Sequence, residues 1–140
     1  MPWSYRIEPA LRIVFTTYEG VMTDEDVRTH GESLAKEPDF EPSFRQLIDL
    51  TRVTEVRFSS AAVRLSAASK LFGHGARRAI VAGDAAAFGM ARMFQSLRER
   101  APDEVALFRD LAEAWRWLGL RRSLRRSLRR SLRRSLDEDA

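Results

Sequence analysis

The side chains that could do chemistry in this chain include no thiol and just two imidazoles, because its 140 residues contain no cysteine and only His30 and His74. A thiolate nucleophile, a thiolate metal site and a disulfide framework are thereby excluded. No carboxylate stands at ligand spacing from either histidine, so no zinc or iron site is expected. His30 reads as a partly buried helix residue and His74 as a loop residue. No G-x-S-x-G elbow is present, and no base accompanies the serines in sequence. The glycines of Gly73-His74-Gly75 follow a helical pattern and precede a strand, the reverse of the order that cradles phosphate. They read as helix-stop residues. The turn Ala82-Gly83-Asp84-Ala85 has the right order but a single glycine, and Asp84 would occupy the anion's place; it reads as an N-cap.

What remains is Asp49-Leu50-Thr51-Arg52-Val53-Thr54-Glu55-Val56-Arg57-Phe58-Ser59-Ser60. Asp49, with Thr51 beside it, is expected at the carboxyl end of a strand, where open α/β sheets place their sites. It could serve as an acid or base there, or simply bind loop amides. Ser59 or Ser60 is expected to open a helix at the same edge. A phosphate on such a hydroxyl would meet the helix dipole and free amides, while the plainer role is an N-cap. No residue is assigned as catalytic, and no cofactor is expected.

These groups need a scaffold, and the apolar spacing supplies one. Trp3, Tyr5 and Ile7 alternate as in a half-buried strand, Pro9-Ala10 breaks it, and Leu11 to Tyr18 forms a second strand that is apolar on both faces. Thr23 caps a helix with Asp24, Glu25 and Asp26 in its first turn, running to Lys36 with Val27, His30 or Gly31, and Leu34 inward. Phe44 to Leu50 is the next strand. A helix from Ser59-Ser60 to Phe72 is expected to bury Ala62, Leu65, Ala68 and Phe72. Arg78 to Ala82 is a buried strand. The following helix, Ala85 to Arg100, carries the stripe Ala87, Met90, Ala91, Phe94 and Leu97. Glu104 to Phe108 is a short strand, and Asp110 caps a last helix facing inward with Leu111, Ala114, Trp115 and Leu118. The order β-β-α-β-α-β-α-β-α predicts an α/β domain: a mainly parallel sheet whose N-terminal hairpin strand is antiparallel, with helices packed around it.

Charge divides the chain at Leu120. Eight of the 24 basic residues and three of the 20 acidic ones fall in residues 121–140, leaving 16 basic and 17 acidic residues in the first 120. The high pI of about 10.3 therefore belongs to the tail. The near-neutral body, one domain over residues 1–120, gives no reason to expect nucleic acid as a partner. The tail is RRSL repeated four times and then acidic, helical or disordered. It reads as a low-complexity repeat expansion, or else as a helix that contacts anionic surfaces. The N-terminus lacks a secretory layout and no apolar run reaches membrane-spanning length, so a cytoplasmic protein is expected.

The stretches QLIDLTRVTEV, RRAIVAGDAAAFGMARMFQ and VALFRDLAEAWRWLG, with the opening hairpin, give residues 3–119 a resemblance to the STAS fold. They are most similar to its SpoIIAA-like branch, also labelled STAS/SEC14, a bacterial type of domain. The resemblance implies a non-catalytic regulatory domain that binds a protein partner. Related anti-sigma-factor antagonists are switched by phosphorylation in a D-S-S-G motif at the second helix. Gapless register places Arg57, Phe58, Ser59 and Ser60 on that motif, and a one-residue slide recovers Ser59-Ser60; the acidic residue is missing in both. Ser59 is the best match to the switch. The SEC14 part of the label implies an alternative, a carrier or sensor of a small apolar or lipid-like ligand. Phe88, off the stripe of its helix, Met93 and Phe58 are then candidates for a pocket, a partner surface or a homodimer contact.

Overall fold

The computed structural model describes residues 2–120. The RRSL repeats, and the expectations attached to them, lie outside the described residues. Five strands form one sheet in sequential order: β1 (Trp3–Glu8), β2 (Ile13–Thr23), β3 (Arg45–Arg57), β4 (Arg77–Val81) and β5 (Glu104–Phe108). β1 runs antiparallel to β2, and the remaining pairs are parallel. Four helices connect or follow them: α1 (Asp24–Ala35), α2 (Ser60–Ala67), α3 (Ala85–Leu97) and α4 (Leu111–Trp117).

Local chemistry sets the helix starts. Thr23 Oγ1 accepts from the Asp26 amide while the Asp26 carboxylate accepts from the Thr23 amide, a reciprocal capping box. Ser59, Asp84 and Asp110 cap α2, α3 and α4 through side-chain oxygens. β2 is buried on both faces, as its two-sided apolar pattern predicts. One face, with Val14 and Tyr18, packs under α1, α2 and α3; the other, with Ile13 and Phe15, packs on α4. Trp115 anchors that second layer, its ring 5.4 Å from that of Phe15. Burying a side chain of this kind contributes about 1.5–3 kcal/mol.

Several boundaries differ from the pattern. Leu11 belongs to a 3-10 turn, and Arg12, at φ 53°, separates it from β2. β2 and β3 then run well past the rest of the sheet: β4 pairs β3 only from Gln46 to Asp49, whereas β2 stays paired out to Thr23 and Arg57. Asp49 is thus in the middle of a 13-residue strand, not at its end. Two register shifts, one beside Gly20 at φ 70°, accommodate the overrun. α2 stops at Ala67, well before Phe72, and buries Val63 and Ala67; Leu65 is 76% exposed and Ala68 is also outside. Gly73 and Gly75 therefore lie in a loop beyond the helix end. At the end of α3 the inward role expected of Leu97 passes to its C-cap, Arg98, which is buried while Leu97 is exposed.

Candidate functional site

The sheet face beneath α1 is unusual in what it buries. Among apolar neighbours it presents Thr16 on β2, Gln46 on β3 and Arg78 on β4, with His30 reaching down from α1. These form a continuous chain of hydrogen bonds. Arg78 Nε donates to Gln46 Oε1 (3.0 Å), which fixes the amide so that Gln46 Nε2 donates to Thr16 Oγ1 (3.1 Å). The threonine hydroxyl is then free to donate to His30 Nε2, 3.1 Å away. Burial first, and the Arg78 charge second, push the His30 pKa down to about 4, so a neutral, accepting imidazole suits its place. Trp3, Tyr5 and Tyr18 surround the ring at 5.4–5.6 Å.

On its other side Arg78 Nη1 donates to Asp103 Oδ2 at 3.1 Å. The second oxygen of Asp103 accepts from Arg98 Nη2, and Arg98 Nη1 donates to the Ala67 and Ser69 carbonyls, both at 2.8 Å. Arg98 thereby closes the C-terminal end of α2. Burial lowers the Arg78 pKa to about 10, against the pull of Asp103, which leaves the guanidinium charged at neutral pH.

Above this polar floor lies a cleft of about 1060 Å³ between α1 and the α2–α3 layer. Met22, Val27, Ile48, Leu50, Phe58 and Met90 give it an apolar wall, and Arg78 forms part of its base. Ser59 stands at the mouth. Its amide and hydroxyl donate to the two oxygens of Asp24, at 2.7 and 2.8 Å, while its Oγ accepts from the Ala62 amide at 3.1 Å. The start of α1 is in this way tied to the start of α2. Ser60 is exposed as the first residue of α2.

The residues singled out in the sequence do not converge. Phe58 and Ser59 border the cleft. Asp49 follows Leu47 by two residues onto the α4 face of the sheet and accepts from the Thr51 amide and hydroxyl, at 2.8 and 2.6 Å. Asp49 and Ser59 therefore do not share a site. Phe88 and Met93 pack against the core from outside the cleft, which α3 lines with Met90, Ala91 and Phe94 instead. The Phe88 ring lies 4.2 Å from the Arg109 guanidinium and 5.4 Å from that of Arg92. Thr16, Gln46, Arg78, Arg98 and Asp103 were not expected at a site. The available signal was a polar residue at an inward strand position, in FRQLIDL and RRAIVA.

Among the described residues no group of three or more histidines or acids could hold a metal ion, and no helix is long and apolar enough to cross a membrane. A model of the SpoIIAA-like family matches residues 13–119. Among solved structures, an uncharacterized protein from the DUF3478 family with a SpoIIAA-like fold, from Shewanella loihica PV-4, aligns with a TM-score of 0.54. Its sequence identity is 23%, over 83% of this chain and 93% of that one, and the likeness concerns the fold. No curated protein matches this chain.

Proposed function

Since the chain belongs to the SpoIIAA-like family, we propose that it works by binding rather than by turnover, and that its ligand is a small, largely apolar molecule held in the cleft above Arg78. The observation that carries this reading is the cleft itself. At about 1060 Å³ it is large enough for a drug-sized molecule, and its apolar wall with a few polar groups at the base is the usual composition of such sites. Of the two roles implied by the family resemblance, this favours the ligand carrier or sensor. The separation of Asp49 from Ser59 by the sheet speaks against cooperation between them in catalysis.

Binding to a protein partner is a second reading, supported by the exposed Ser59–Asp24 tie at the cleft mouth. A ligand that spreads α1 from α2 would disturb that tie, so occupancy and partner binding would be coupled there.

The test is a titration of the full chain with N-phenyl-1-naphthylamine, a neutral dye that fluoresces in apolar surroundings. Saturable binding of one dye per chain is expected, and Ala62→Trp, which puts an indole into the cleft, should abolish it while leaving the circular dichroism spectrum intact. No saturable binding, or equal binding by a folded Ala62→Trp chain, would overturn the reading.

A further inference from the structure

Two guanidinium groups, Arg78 and Arg98, share the single carboxylate of Asp103. Arg98 Nη1 also donates to two carbonyls at the end of α2, while its Nε has no partner among the described residues. Arg78 has only the neutral Gln46 amide besides its half of Asp103. A positive charge thus remains without a full counter-charge where its side chain is 12% exposed. Removing a charge from water costs several kcal/mol unless it is matched. Arg78 Nη2 makes no hydrogen bond among the described residues. Among the described residues the fully enclosed, unpartnered side-chain nitrogens are Arg98 Nε and Trp115 Nε1, so Arg78 Nη2 keeps access to open space. The space that Arg78 borders is the cleft. Phe72 and Phe94 lie 4.2 and 5.1 Å from its guanidinium carbon and hold the group in place.

Building on the ligand-binding reading above, we infer that the cleft takes an amphiphile with an acidic head: the apolar body lies along the wall and the anion meets the free donors of Arg78. The floor is preorganised for this. Gln46, Asp103 and the two rings fix the guanidinium before any ligand arrives, so little freedom is lost when an anion docks. The geometry favours a compact head such as a carboxylate or phosphate, because at the base of the cleft the donor is the single guanidinium of Arg78. Arg28 and Lys70 also line the cleft, but with Asp24, Glu25 and Glu32 among them, and Arg28 is paired with Glu25 and Glu32.

The experiment is displacement of bound N-phenyl-1-naphthylamine from the full chain by decanoate and by decanol, which share a tail and differ in head charge. Because the dye reports only the cleft, decanoate held by arginines of residues 121–140 does not register. Decanoate is expected to displace the dye about ten- to a hundredfold more effectively than decanol. In Arg78→Met that advantage should fall to about twofold or less. If Arg78→Met does not fold, Arg78→Lys takes its place: a reduced advantage supports the assignment and an unchanged one overturns it. Equal displacement by the two probes in the wild-type chain overturns the acidic head while leaving the cleft reading intact. So does an advantage that survives in Arg78→Met. If the dye binds and neither probe displaces it, the aliphatic amphiphile is excluded. Failure of the dye itself to bind overturns the cleft reading, and the acidic-head assignment with it. Decyl phosphate, run beside decanoate, separates a phosphate head from a carboxylate.

Discussion

Protonating His30 would place a second cation on the line that already holds Arg78, inside a cage of Trp3, Tyr5 and Tyr18. The imidazole pKa is accordingly depressed from 6.5 to about 4. The sign of the consequence follows from linkage. As pH falls below about 6.5 the unfolded chain takes up this proton before the folded one, so folding weakens from there down to about pH 4 and gains no further slope from His30 below that. The difference amounts to about 3 kcal/mol. Urea unfolding at pH 7 and pH 4 should show that loss in the wild-type chain and a flatter profile in His30→Gln; identical profiles would refute the assignment. His30 was legible in the sequence as a helix residue turned inward. Its partners were not, because nothing in VFTTY or FRQLIDL says that Thr16 and Gln46 will line up across neighbouring strands. Strand pairing is a long-range fact, and the polar chain exists only once β2, β3 and β4 are in register.

Helix ends show the same division between local and long-range information. Thr23, Asp84 and Asp110 are recognisable caps because their hydrogen bonds close within three residues. The C-terminus of α2 is not legible in the sequence because Arg98, the C-cap of α3, supplies its closure, and no residue near Ala67 announces that. The overrun of β3 did leave a trace: TRVTEVR is rich in β-branched residues, and Val53 is buried against the extended end of β2. At α4 the closure is local only in part, since Arg77 of β4 and Arg45 of β3 also donate to the Trp117 and Leu118 carbonyls. Leu120 N donates to Trp115 O and Gly119 N to Arg116 O, a Schellman motif with Gly119 at φ 76°. A Cβ at Gly119 would meet nothing nearer than Arg45 Nη1 at 3.9 Å, so steric contact is not an obstacle to a side chain there. The left-handed backbone is. Gly119→Ala should therefore cost about 1 kcal/mol, and Gly119→Asn less, since asparagine tolerates this conformation. Chemical denaturation distinguishes the outcomes: equal stability of Ala and glycine variants would mean that the turn relaxes.

That closure keeps α4 and its turn within the first 120 residues. Leu120 is buried against the α4 layer, and the arginine-rich segment begins at the next residue. The first 120 residues carry 16 basic and 17 acidic groups, so the body is close to neutral and the excess positive charge belongs to residues 121–140. Two properties should consequently separate on truncation after Leu120. Thermal stability should change by less than about 0.5 kcal/mol, or about 2 °C in Tm, since every core residue among the described residues is retained. Retention on a cation-exchange resin at pH 7 should disappear, because attraction to an anionic surface follows the local density of like charge and not the fold. Dye binding in the cleft should persist, as the described residues that line it lie within the retained body. A fall of several degrees in Tm, or loss of the dye site, would show that the segment braces the domain. Unchanged retention would place the surface-binding charge on the body, where the even balance of acids and bases gives it no source.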